Sequence, residues 1–133
     1  MHPSCQTLGV MKHILASVVL LLAITACGNS KSLPGGFELL KWEDGKTFYL
    51  TGPGGKNQDG GGAIQGTVLE LAWTGEVVAA KRYATFRGDP DGWMIIDTKT
   101  KQVSGPVPEE QFLALKAKHR LQVRSAADAW EML

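Results

Sequence analysis

The feature that most constrains this chain is an uninterrupted run near its start, Ile14 to Ile24, dominated by Ala, Val, Leu and Ile. Lys12 precedes it, and the small residues Thr25 and Ala26 lead from it to Cys27. At eleven residues the run is too short to cross roughly 30 Å of hydrocarbon as a helix, which takes about 20 residues. A positive n-region, a short apolar core and small residues at its end are the layout of a secretory signal peptide. Residues 1–26 are therefore expected to be removed rather than folded. The pattern opens at Met11-Lys12-His13, which makes Met11 the expected start, since Met1 to Val10 has neither charge bias nor periodicity.

The segment Ile24-Thr25-Ala26-Cys27 resembles the lipobox of bacterial lipoproteins. The resemblance implies that the Cys27 thiol accepts diacylglycerol, that the chain is cut just before it, and that a third acyl chain is often added to the new amino terminus. Small residues at 25 and 26 let a peptidase approach the backbone. Two or three acyl chains hold a protein stably on a bilayer, where one binds only marginally. The expected first partner is thus a lipid bilayer, reached through acylated Cys27. In Gram-negative lipoproteins an Asp after the cysteine commonly retains the protein at the inner membrane. Gly28 stands there in this chain, which implies the periplasmic leaflet of the outer membrane.

Removing 26 of 133 residues leaves 107, and of the 14 basic residues only Lys12 goes, so 13 basic face 13 acidic ones. A formally neutral domain lacks the basic footprint that nucleic acid requires. Cys5 lies before the cut and Cys27 is taken by lipid, so no thiol remains for a disulfide, a metal or catalysis. The domain must stand on its hydrophobic core, and a chain of about 100 residues suffices for one modest core.

Gly28 to Gly36 reads as a flexible linker, making residues 27–36 a lipidated tether and 37–133 a single domain. Phe37 to Trp42 and Thr47 to Leu50 read as strands joined by Glu43-Asp44-Gly45-Lys46, in which Asp-Gly favours a hairpin. Gly52 to Gly62 reads as a loop. Thr67 to Trp73 alternates, with Thr67, Leu69, Leu71 and Trp73 on one face. Val77 to Phe86 and Trp93 to Asp97 follow as strands across short turns, which implies antiparallel pairing. Pro106-Val107-Pro108-Glu109-Glu110 then reads as a helix start, with carboxylates at the positive end of the dipole. Phe112, Leu113, Leu115 and Ala117 continue at near-helical spacing. Ser125 with Asp128 approximates a capping box for a last short helix. The expected fold is α+β: a β-meander of about five strands with C-terminal helices packed on one face.

The chemistry-bearing residues are few. Gly55-Lys56 is followed by Asn57, so the glycine cluster lacks the P-loop pattern. Asp89-Pro90-Asp91-Gly92 begins like a calcium loop, but Trp93 and Thr100 occupy later ligand positions, so a turn is expected. Arg87-Gly88-Asp89 likewise reads as turn residues. His119 is the one histidine after the cut, and the serines lie in expected linkers or caps, with no Gly-x-Ser-x-Gly elbow. Glu70, Asp97, Glu109 and Glu110 are the acids available to a carboxylate-dependent hydrolase of cell-wall glycan. No cofactor or metal is expected. The basic series Lys116, Lys118, His119, Arg120 and Arg124 reads chiefly as a solvated face. Four tryptophans are expected mostly in the core, with an exposed Trp or Tyr83 as the anchor for a protein partner.

The expected function is a non-enzymatic, membrane-tethered binding module: an envelope accessory, an inhibitor or an immunity-type protein. Tyr83, Trp93, Lys116 and Arg120 are its candidate contacts, and the partner is an envelope protein rather than nucleic acid. The alternatives are a structural envelope component without a specific partner, or the hydrolase. Gly66-x-Val68-x-x-x-x-Trp73 and Trp93 to Thr100, followed by Glu109-Glu110-x-Phe112, are similar to segments of small uncharacterised bacterial lipoproteins. That similarity covers about Gly66 to Leu115 and implies a fold without an activity.

Overall fold

The computed structural model describes residues 29–53 and 63–133. The expected signal segment, Cys27 and most of the Gly52–Gly62 stretch lie outside the described residues. Two antiparallel sheets and two α-helices make up the fold, which is α+β as expected. The first sheet holds β1 (Ser30–Ser32), β2 (Glu38–Lys41) and β3 (Phe48–Thr51), in that order. The second holds β4 (Thr67–Trp73), β5 (Val77–Tyr83), β6 (Gly92–Asp97) and β7 (Val103–Val107), with β8 (Arg124–Ser125) added beside β4. Helix α1 spans Glu109–His119 and α2 spans Ala126–Met132.

β5 explains the layering. It reads Val-Val-Ala-Ala, a run with no polar alternation, and all four residues are buried. A strand apolar on both sides needs cover on both faces. Val78 and Ala80 face Phe37, Leu39, Phe48 and Leu50 of the small sheet, together with Ala129 and Trp130 of α2. Val77 and Ala79 face the other way, with Trp93, Phe112 and Leu121. The two helices therefore divide between the faces of the five-stranded sheet. Large side chains such as Phe37, Leu39, Leu71 and Ile96 are fully buried, each worth about 1.5–3 kcal/mol relative to exposure.

Strict alternation in β4 breaks at a bulge. Val68 pairs with Arg82 and Glu70 pairs with Lys81, so Leu69 is an extra residue in the ladder. The inserted residue resets the pleat, which turns Leu69 out to solvent and puts Val68 and Leu71 in one core. The expected grouping of Leu69 with Leu71 and Trp73 is corrected accordingly. Gly66, just ahead, has φ +97°, and a Cβ there would run into the Tyr83 carbonyl and lie 2.8 Å from the Ala84 Cβ. Only glycine fits that close approach between the start of β4 and the end of β5.

Residues 27–36 are not a free linker once the described part is reached. Ser30 to Ser32 pair with Leu40 to Glu38, Leu33 is buried in the core, and Pro34–Gly36 forms a 3-10 turn. Glycine and proline suggested slack, yet one buried leucine and one short ladder tie the segment down. β7 is also new, and Ser104 lies in it rather than in a linker. Its Gly105-Pro106 pair sits where the register with β6 shifts between Trp93 and Ile95, on an edge strand, where a residue without an N–H is tolerated. Helix α1 begins one residue after Pro108, as the proline and acidic pair predicted. Ser125 caps α2, its Oγ accepting from the Asp128 N–H at 3.1 Å.

Candidate functional site

A concavity of about 600 Å³ opens where three turns converge. Gly75 and Glu76 come from the β4–β5 turn, Asp97 and Ser104 from the β6–β7 hairpin, and Lys118 and His119 from the last turn of α1. Thr74 shapes the first turn, its hydroxyl accepting from the N–H groups of Glu76 and Val77. Asp97 shapes the second, its carboxylate accepting from Lys99 and Thr100 N–H at 2.8 and 2.9 Å. Those bonds, with Thr100 first, hold the Asp97 carboxyl below its ordinary range, so its charge is committed to the turn.

His119 contributes the one imidazole in the cleft, with Nδ1 3.6 Å from a Glu76 carboxylate oxygen, an ion pair when the ring is protonated. Ser104 shares the cleft, but its hydroxyl donates to the Ile95 carbonyl at 3.5 Å, at the limit of hydrogen bonding. The His119 ring is turned to an acid through Nδ1 and the Ser104 hydroxyl to the backbone. Lys99 and Lys118, the acids Glu76 and Asp97, and apolar Val77, Ile95 and Leu115 line the cleft, a mixture that suits a polar ligand group held by charge.

The four acids raised for hydrolysis stay apart. Glu70 lies 3.8 Å from the Lys81 ammonium. By register, Glu70 stands level with Lys81 and Trp93, whereas Asp97 stands level with Val77. Four residues along a strand is about 13 Å, and two strand spacings separate them sideways. Glu109 and Glu110 follow β7, three strands across the sheet from Glu70, and successive helix residues do not face each other. No group of three or more His, Cys, Asp or Glu that could hold a metal occurs among the described residues.

The candidate contacts fare unequally. Tyr83 is 43% exposed and packs against Phe86, itself 59% exposed, with ring centroids 5.3 Å apart. The sequence pattern extends the strand from Val77 as far as Phe86. Phe86 lies instead in a 3-10 turn, Thr85–Arg87, which carries it back beside Tyr83. Asp91 fixes that loop by accepting from Ala84 and Thr85 N–H at 2.6 and 2.9 Å, while the Arg82 Nε donates to the Pro90 carbonyl. Asp89-Pro90-Asp91-Gly92 is thus a turn-forming device, with Arg87 and Asp89 3.9 Å apart. Trp93 is corrected. At 5% exposure it belongs to the core, stacked on Phe112, because its strand position points under α1.

Lys116 is exposed on α1 and Arg120 ends it in a left-handed conformation, φ 55°. The basic series does not form one face. Lys118 and His119 enter the cleft, whereas Arg120 and Arg124 line a separate hollow of about 220 Å³ beside Trp73 and Met132. Of the four tryptophans, only Trp42 is prominently exposed, at 55%. Charged residues flank it on both sides, Lys41 and Glu43, as they flank none of the other three.

The described residues form an α+β domain of two antiparallel sheets, whose surface carries the polar cleft beside His119 and the exposed pair Tyr83 and Phe86. No family model, no curated protein and no solved structure matches the chain. Among the described residues no helix is long and apolar enough to cross a membrane.

Proposed function

We propose that this chain is an envelope lipoprotein, anchored through acylated Cys27, whose domain is a non-enzymatic module that binds a protein partner. The anchoring half rests on Lys12, the apolar run and Ile24-Thr25-Ala26-Cys27. The binding half is carried by one observation: Tyr83, at the end of β5, and Phe86, on the loop that follows, stand together and exposed, braced by Asp91 and Arg82. Aromatic side chains presented on a rigid loop are the usual centres of protein interfaces, because they bury large area with little loss of conformational freedom. The acids that a hydrolase would need are dispersed or engaged elsewhere, which favours binding over catalysis. The outer membrane's periplasmic leaflet is the proposed location.

Two measurements test the two halves. Intact mass of the protein purified from membranes should show two or three acyl chains on wild type and none on Cys27→Ala. A photo-crosslinking residue at position 86 should capture one dominant envelope protein in living cells, and Tyr83→Ala should abolish the adduct. Equal masses would remove the anchor, and a diffuse set of adducts unaffected by Tyr83→Ala would remove the binding surface.

A further inference from the structure

The mature domain begins almost at the lipid. Asn29 is already in the fold, its carbonyl accepting from the Lys41 N–H at 2.9 Å as Ser30 pairs with Leu40. Only Gly28 separates Asn29 from Cys27. Two residue steps span at most about 7 Å between Cα atoms, whereas a free linker to Gly36 would have allowed about 30 Å. An anchor at Cys27 would therefore join the domain at the end of the small sheet where β2 leaves Lys41 and turns toward β3. At that end stands Trp42. Its N–H donates to the Thr47 carbonyl at 2.7 Å and its carbonyl accepts from Gly45. Its indole is more than half exposed, edge-on to Tyr49 with ring centroids 5.8 Å apart.

We propose that the β2–β3 loop, with Trp42 at its head, is a membrane-docking surface that seats the domain on the bilayer carrying its own anchor. This rests on the lipid anchor proposed above. Indole prefers the headgroup level, with an apolar body and one polar N–H. The edge contact with Tyr49 and the backbone bonds of residue 42 aim the ring without further ordering. The occupant is a lipid surface irrespective of charge, because the loop balances itself. Lys41 and Lys46 equal Glu43 and Asp44 in number, and the Asp44 carboxylate is held within the turn by the Thr47 hydroxyl and the Lys46 and Thr47 N–H groups. Docked in this way, the domain keeps a fixed orientation instead of tumbling on a long tether.

The test uses the full lipidated protein in phosphatidylcholine vesicles with or without brominated acyl chains, reading tryptophan emission. Trp42 is one of four tryptophans, so brominated lipid should quench up to a quarter of the wild-type signal and none of the W42F signal. Adding anionic lipid should leave the quench unchanged. Ten Gly/Ser residues inserted between Gly28 and Asn29 should weaken it several-fold while acylation persists. Equal quenching of wild type and W42F, in protein shown by mass to be acylated and vesicle-bound, would overturn the docking surface and leave the anchor standing. Protein without acyl mass that fails to float with vesicles would sink both.

Discussion

Replacing Phe112 by alanine asks how α1 is held. Phe112 is the one side chain of that helix buried from solvent, lying flat on Trp93 with centroids 3.9 Å apart and planes 4° apart. Burying a phenylalanine is worth about 1.5–3 kcal/mol, and the aromatic pair adds about 0.5–1.5 kcal/mol. Truncation thus removes about 2–4.5 kcal/mol from the attachment. Helices shorter than about 12–15 residues are marginal alone in water, and α1 has 11. Its Glu109, Glu110 and basic last turn suit the helix dipole, but at about 0.3–1 kcal/mol each they do not replace the lost contact. Helix α1 should therefore open while the sheet survives.

Amide exchange reads this directly, since each 1.4 kcal/mol is about a factor of ten. Protection of the last-turn amides of α1 should fall roughly 30- to 1,000-fold. Val78 and Ala80 in β5 should lose only the part of global stability that docking of α1 supplied. Leu113→Ala, on the exposed side, should change stability by no more than about 0.5 kcal/mol. Unchanged protection of α1 in Phe112→Ala would refute the reasoning. So would equal acceleration of α1 and β5, because the helix would then belong to one cooperative unit.

Gly66→Ala combines a positive φ with a clash at Ala84 and the Tyr83 carbonyl, and should cost about 2–5 kcal/mol, read as a lowered urea midpoint with unchanged slope. The Asp44 carboxyl is held low chiefly by the Thr47 hydroxyl, Asp91 by the Ala84 N–H and Asp97 by the Thr100 N–H. A carboxyl lowered by folding contributes stability above its unfolded value of 3.8, which is lost as pH falls through the lower folded value. Acidification should thus destabilise the domain below about pH 4, and Asp91→Asn should be less stable at neutral pH with a shallower acid loss in a urea titration. A steeper acid loss in that variant would contradict the assignment. Tyr83→Ala should leave stability within about 0.5 kcal/mol in thermal melts, even as it abolishes the crosslink at position 86.

Local patterns carried much of the fold. Thr67–Trp73 and Trp93–Asp97 are legible because β-branched and aromatic residues run between strong turns. Ser125 and the Pro108-Glu109-Glu110 series mark helix starts through groups that cap backbone donors or suit the dipole. β7 was hidden because glycine and proline are read as breakers, while an edge strand with a register shift tolerates both. β1 was hidden for a similar reason: three polar residues form a strand only because β2 is there to pair with them.

The candidate surfaces show the same division more sharply. Residue types alone establish that no cysteine follows Cys27, that 13 basic residues beyond it face 13 acidic ones, and that an apolar-rich run precedes a lipobox-like cysteine, since these are properties of composition and order. Which aromatics face out is a different matter. Trp42, between Lys41 and Glu43, and Trp93, between Gly92 and Met94, both lie at strand ends, yet one is exposed and the other is covered by Phe112. Glu76 meets His119, 43 positions away, and Tyr83 meets Phe86 through a turn. Burial depends on what packs against a face, and that partner comes from distant chain, so only the tertiary structure decides it.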